Sequence, residues 1–270
     1  MLTEKTNFRK LESMTLAKSP TILRPVDPEP VAIVNEQSEV PLLLLCEHAG
    51  QAIPQSLDKL GLTQQVIDSH RGWDIGALAV ARDVAARLDA PLVAQNYSRL
   101  VIDANRPPDS RHAVPSEVDG EAIPGNIGIT RHEQQQRAIE IFTPFDTAIA
   151  KLVSSRKPQG CFSIHSFAPV LGGVQRPWHA GFLSRRDIRT AKGLMTAIAD
   201  QQPGLTMAVN EPYRIDDETD WFIPRHAEPS GAAHTLIEIR NDLISSPEGI
   251  AQWAGLVAKA ITTVMQETKR

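Results

Sequence analysis

Four consecutive leucines, Leu42 to Leu45, run straight into Cys46, Glu47 and His48 within the stretch from Pro41 to Pro54, PLLLLCEHAGQAIP. An apolar run without polar alternation predicts a strand buried on both faces, as in the centre of a parallel or mostly parallel sheet. In such sheets ligands bind just beyond the carboxyl ends of the strands. An acid and an imidazole there, followed by Ala49 and Gly50 where the chain must turn, occupy the position of a catalytic site.

The rest of the pattern alternates between helical and strand periods. Residues 1 to about 38 are polar and carry Pro20, Pro25, Pro28 and Pro30, which predicts an irregular arm ahead of a single domain over residues 39–270. Asp74 is placed to cap a helix, IGALAVARDVAARLD, whose Ala77, Ala81, Val84, Ala85 and Leu88 recur at helical spacing. A strand begins at Pro91, and SRLVIDANRPPDS follows, an apolar run ending in Asp103, Asn105 and Arg106 before two prolines stop regular structure. From there to Gly128 a long loop is expected.

Thr130 to Glu133 has capping-box spacing, and Ile139, Phe142, Ile149 and Leu152 continue an amphipathic helix, interrupted near Pro144 and ended by Gly160. Cys161 to Ile164 is the next buried strand and delivers His165 and Ser166. A helix around Ile188 to Ala199, a strand around Thr206 to Val209, a polar rim loop over 211–233 and a last strand, Thr235 to Ile239, follow. Ser246 and Pro247 begin a final helix with Ile250, Trp253, Val257, Ile261 and Val264 on one stripe. Strands alternating with helices predict a three-layer α/β/α fold around a mostly parallel mixed sheet.

Composition narrows the function. Within 270 residues, 41% hydrophobic and 22% charged positions are ordinary for a soluble globular chain, and a net charge of -4 offers no basic field for nucleic acid. The two cysteines, Cys46 and Cys161, lie in apolar runs as expected of reduced buried thiols, which points to a cytoplasmic protein. The N-terminus lacks a signal-peptide core, and no segment reaches the roughly 18 apolar residues of a membrane span.

Three predicted strand ends carry polar residues that a buried sheet otherwise avoids: Glu47 with His48, His165, and Glu238 with Arg240. Imidazoles and a carboxylate are the ligands of a catalytic zinc, and a further, unligated glutamate can serve as general base. Spacing alone leaves a satisfied polar rim or a site without metal equally open, because no HExxH or paired CxxC motif occurs.

CEHAG with its following proline, HRGWDIGALAVA, SRLVIDANRPP, IHSF and TLIEIRNDLI resemble the N-formylglutamate amidohydrolase family in order, from about Pro41 to Ile244. VIDANR, SIHS and IEIRND are more remotely similar to blocks of the zinc carboxypeptidases. The resemblance implies a phosphorylase/hydrolase-like fold and zinc-dependent hydrolysis of an amide next to a carboxylate, on a small-molecule substrate. It implies His165 as a zinc ligand, Glu238 as the general base, and Asn105 with Arg106 as the grip on the substrate carboxylate, with Arg99 adding positive charge.

The chain departs from the carboxypeptidases at the first ligand pair. Gln51, three residues after His48, stands where they have a glutamate, so Asp74 or Glu47 must complete the set with His48. Asp74 is preferred, because WDIGA resembles the family's aspartate block and because adjacent Glu47 and His48 tend to face opposite ways. Glu47 is then expected to orient a ligand. Other readings stay beside these: Asp74 as a helix cap, Asn105 and Arg106 as turn formers, Glu238 paired with Arg240, and His165 as a core histidine. His179 and His226, with Trp178, Tyr213 and Trp221, are candidates to border the pocket. A carboxylate-binding scaffold without catalysis, and a thiol enzyme using Cys46 with His48, are the competing functions; oligomeric state and the acyl group cleaved are not legible.

Overall fold

The computed structural model describes residues 21–267, and in them the sheet begins earlier than the proline-rich arm predicts. Val31–Val34 forms β1, so this part of the expected irregular arm is an edge strand; residues 1–20 lie outside the described residues. Its short apolar run, VAIV, pairs antiparallel with a neighbouring strand, which a proline count does not reveal. The leucine run is β2, Leu42–Cys46, buried at every position. Each such leucine contributes about 1.5–3 kcal/mol by leaving water.

Helices α1, Gln64–Ile67, and α2, Ala77–Leu88, lead to strand β3, Leu92–Gln95. A small hairpin of β4, Glu117–Val118, and β5, Glu121–Ala122, lies within the long loop. Helix α3, Arg131–Arg137, opens with the predicted capping box, Thr130 and Glu133 bonding reciprocally. A π turn over Ala138–Phe142 then precedes α4, Thr143–Arg156. That turn lets Pro144 sit near the start of α4, where its missing N–H costs nothing. The extra residue also shifts the apolar phase: Ile139 is 67% exposed and Ile141 faces inward instead, while Phe142 is buried as expected. Lys157, in the left-handed region, ends α4, whereas Gly160 opens the next strand and does not close the helix.

Strand β6, Gly160–Phe167, is followed by a second hairpin of β7, Val170–Leu171, and β8, Val174–Gln175, then by β9, Ala180–Leu183. The sequence pattern does not predict β9, because Ala-Gly-Phe-Leu lacks β-branched residues. Its Gly181 is required by a close approach: a Cβ there would lie 1.7 Å from the Glu211 carbonyl oxygen. Helix α5, Ile188–Gln201, strand β10, Met207–Val209, one-turn helix α6, Glu228–Ser230, strand β11, Ala233–Arg240, and helix α7, Pro247–Glu267, complete the chain.

The seven-stranded sheet has the order β1-β3-β2-β6-β11-β9-β10. Strands β3, β2, β6 and β11 are mutually parallel, β1 and β9 run antiparallel to their inner neighbours, and β10 follows β9 in parallel. Strand alternation sorts the side chains into two cores. Leu44, Cys46, Phe162, Ile164, Ile237 and Ile239 pack with α2, α5 and α7 on one face. Leu43, Leu45, Cys161 and Leu236 pack with α4 residues Phe145, Ile149 and Leu152 on the other. The fold is thus a mostly parallel mixed sheet between helical layers. No helix of the described residues is long and apolar enough to cross a membrane.

Candidate active site

The same alternation places the chemistry. On the face of Leu43, Leu45 and Leu236 the next positions along β2, β6 and β11 are Glu47, His165 and Glu238. Register then brings them together, since Glu238 pairs with His165 across β6 and β11, and Leu45 pairs with Ser163 across β2 and β6. Ser163 donates its hydroxyl hydrogen to Glu47, and Glu47 Oε2 lies 3.0 Å from His165 Nε2.

His48 reaches this face although it follows Glu47 directly, because the strand ends at Cys46 and the chain turns. The turn is tight enough to need Gly50, where a Cβ would stand 1.9 Å from the Asn96 carbonyl oxygen. Asp74 arrives from the loop before α2. Gly76, at φ 81°, takes the N-cap position of that helix, so the cap expected of Asp74 is not made. The Asp74 carboxylate turns inward instead: its Oδ2 lies 2.8 Å from His165 Nδ1 and accepts the Ser166 backbone N–H at 3.2 Å.

Three atoms therefore converge: His48 Nδ1, Asp74 Oδ2 and His165 Nδ1, with 3.4 Å between the first two. One ligand atom from each residue lies within 4.8 Å of the others. The two imidazoles meet edge to face, 4.7 Å between centroids. Each ring has a carboxylate on its far nitrogen, Asp103 at 2.7 Å from His48 Nε2 and Glu47 at 3.0 Å from His165 Nε2. A carboxylate behind an imidazole fixes its tautomer and orientation for a metal in front.

The donor set fits a metal cation. His48 Nδ1 is buried without a hydrogen-bond partner, which is costly unless a cation meets its lone pair. Burial alone would raise the Asp74 and Asp103 carboxyls, but the His48 charge and His165 hydrogen bond hold Asp74 down, and Arg99 with His48 holds Asp103 down. Glu47 is likewise lowered, against its burial, by His165. His165 is raised well above an ordinary histidine: burial opposes this, but Glu47 and Asp74 outweigh it. Three carboxylates held low around two imidazoles make a site whose charge suits a cation. Glu238 differs, because burial pushes its carboxyl up to about 8, and its Oε2 has no hydrogen-bond partner.

A cleft of about 470 Å³ opens over these groups. Arg106 lines it, and its ion-pair partner among the described residues is a distant one, Asp103 at 3.9 Å. Arg99 also lines it, but its guanidinium is engaged by Asp103 at 2.7 Å and lies 3.5 Å from Asp74. The Asn105 side chain bonds to protein: its oxygen accepts the backbone N–H groups of Trp221 and Phe222, and its nitrogen donates to Asp220. It thus ties the 216–222 segment to the cleft floor.

Arg240 pairs with Asp242 rather than with Glu238. His226 bonds to Asp146 on α4 and His179 to the Thr206 backbone, and neither borders the cleft, which His70 and His112 do. Of the three aromatic candidates only Tyr213 lines it. Asp103 and Arg176 were outside the sequence expectations; the i, i+4 spacing of Arg99 and Asp103 was the available signal for the first.

The model of the N-formylglutamate amidohydrolase family matches residues 40–245. The structure of a gene product from Agrobacterium tumefaciens is 34% identical, with 92% of this chain and 100% of its own covered and a TM-score of 0.87. That of N-formylglutamate amidohydrolase from Ralstonia eutropha JMP134 is 18% identical, with 90% and 99% covered and a TM-score of 0.68, a likeness of fold. No curated protein matches the chain.

Proposed function

The chain belongs to the N-formylglutamate amidohydrolase family, and from that premise we propose that it hydrolyses the amide of an N-acyl amino acid bearing a carboxylate, an N-formyl amino acid first among them, with zinc as its metal. The observation that carries this reading is the convergence of His48 Nδ1, Asp74 Oδ2 and His165 Nδ1 beneath a cleft that Glu238 also lines. These three residues would hold the ion, which when bound polarises a carbonyl and acidifies water.

The chain's own groups do the rest. Glu238 takes a proton from the attacking water and returns it to the departing amine, a task for a buried carboxylate that lines the cleft with an unpartnered oxygen. Arg106, with no close ion pair among the described residues, offers its planar fork to the substrate carboxylate. Arg99, held by Asp103, adds positive field, and Asn105 acts by positioning the 216–222 segment. Asp103 and Glu47 keep the two imidazoles oriented.

The test is elemental analysis of the purified protein, followed by a hydrolysis screen over N-formyl, N-acetyl and peptide substrates with free carboxylates. About one zinc per chain and turnover of an N-formyl amino acid are expected. Metal-loaded protein that cleaves none of these substrates would overturn the reading.

A further inference from the structure

Residues 99–106 bring Arg99, Asp103 and Arg106 to the cleft, yet they contain neither helix nor strand. Leu100 and Val101 in this segment are fully buried, so their backbone carbonyls need partners from elsewhere in the chain. Two buried side chains supply them. Asn126 Nδ2 donates to the Leu100 carbonyl at 2.8 Å and to that of Pro115 at 2.7 Å. Arg137 Nη1 donates to the Val101 carbonyl at 2.9 Å and to Asn126 Oδ1 at 2.7 Å, and its Nη2 donates to the Gly125 carbonyl at 3.2 Å.

Arg137 is 3% exposed and forms no ion pair among the described residues; Glu133, one turn earlier on α3, is bonded to Thr130 instead. Burial holds the guanidinium down to about 10 in spite of the nearby Glu133. A guanidinium buried in this way is tolerated only when its donors are used, and here they go to backbone oxygen and to Asn126. Gln134, three residues earlier and so on the same face of α3, donates to the Pro108 and Ser110 carbonyls. One face of α3 thus holds the long loop against residues 99–106. The loop in turn accepts the Asp103 N–H at the Ala113 carbonyl, 2.7 Å away.

We infer that Arg137, acting through Asn126 and the Leu100 and Val101 carbonyls, is a positioning residue for the metal site: it fixes the backbone from which Asp103 reaches His48. This rests on the reading of the site as that of a metal-dependent amide hydrolase. Arg137 itself does not line the cleft. A planar fork that serves several acceptors at once holds them at set angles, which the rotating ammonium of a lysine does not do.

The experiment measures zinc affinity by chelator competition for wild type, Arg137→Lys, Asp103→Asn and the double variant, and follows backbone hydrogen exchange over residues 99–106 in the metal-free proteins. Arg137→Lys should bind zinc about 10-fold more weakly, as when the support of a metal ligand is loosened, and should exchange faster over that segment. Because Arg137 acts through Asp103, the double variant should bind zinc no more weakly than Asp103→Asn alone. Ile261→Val, a buried change on α7 in the core of the other sheet face, serves as the control for lost stability and should alter neither reading. Unchanged affinity in Arg137→Lys, losses that add in the double variant, or an equal loss in Ile261→Val overturns the inference. If Arg137→Lys does not fold, Asn126→Ser, which removes the amide donors to Leu100 and Pro115, takes its place with the same expectations. A wild type that binds no zinc refutes the metal reading together with the inference. A non-additive loss in a protein without amide turnover supports the inference and counts against the hydrolase reading alone.

Discussion

Asp103 Oδ1 lies 2.7 Å from His48 Nε2, and Asp103 Oδ2 lies 2.7 Å from Arg99 Nη2, so one buried carboxylate orients an imidazole and is itself anchored by a guanidinium. The imidazole's other nitrogen is left facing Asp74. Replacing Asp103 by Asn should therefore weaken zinc binding by about 10- to 100-fold with the fold intact. Zinc titration against a competing chelator measures it; unchanged affinity would make Asp103 a partner of Arg99 only.

Glu238 separates chemistry from metal binding, because it lies on β11 outside the converging donor set. Glu238→Gln preserves shape and removes the proton acceptor. Zinc content should stay at the wild-type level while kcat falls roughly 10²- to 10⁴-fold. Near wild-type turnover with metal bound would refute the assignment of the base.

Arg106 is expected to read a carboxylate common to all substrates. Arg106→Ala should weaken recognition of free carboxylates by about 2–3 kcal/mol and spare amidated analogues. Matched kcat/KM values for the two substrate types give the answer, and equal losses would mark Arg106 as structural.

Asp146 on α4 accepts hydrogen bonds from Trp221 Nε1 at 2.7 Å and pairs with His226 Nε2 at 2.6 Å, which anchors the segment that carries Tyr213 and Asp220. Burial alone would raise its carboxyl, but the hydrogen bonds from His226 and Trp221 outweigh burial and lower it. Its stabilisation is therefore present above the unfolded carboxylate value of about 4 and is lost as pH falls through the lower folded value. Asp146→Asn should lower Tm at neutral pH, and the gap to wild type should close in acid below about pH 4. A gap independent of pH would mean that ionisation of Asp146 contributes nothing.

Cys46 and Cys161 are both buried, and neither lines the cleft. Burial, with Asp74 and Glu47 nearby, raises Cys46 well above an ordinary thiol, and burial pushes Cys161 up to about 12. Iodoacetamide applied to the native protein should leave turnover unchanged; rapid inactivation with Cys46 alkylated would revive the thiol enzyme.

Much of this protein was legible in its sequence because local periodicity and burial coincide. The unbroken leucines of β2 read as a doubly buried strand, Thr130 and Glu133 as a capping box, and Trp253, Val257, Ile261 and Val264 as the inward stripe of α7. The position of Glu47, His165 and Glu238 at strand ends was equally readable, since the period of two is a property of each strand alone. Where neighbours outweigh local preference, the pattern misled. Val31–Val34 becomes a strand because β3 offers it hydrogen-bond partners at the sheet edge, Ala180–Leu183 because β11 and β10 pair with it on both sides, and a π turn rotates Ile139 outward.

Residue identities likewise named candidate groups without assigning their partners. Asp74 read as readily as a helix cap, and Asn105 as a substrate grip, because both residue types serve either purpose. Tertiary structure decided between these possibilities. Gly76 takes the cap position and frees Asp74 for His165, and the Asn105 amide bonds the 216–222 segment. Asp103 and Arg176 gain their places only when loops distant in sequence close over the strand ends, because hydrogen-bond partners across the chain are fixed by packing and register and not by local sequence.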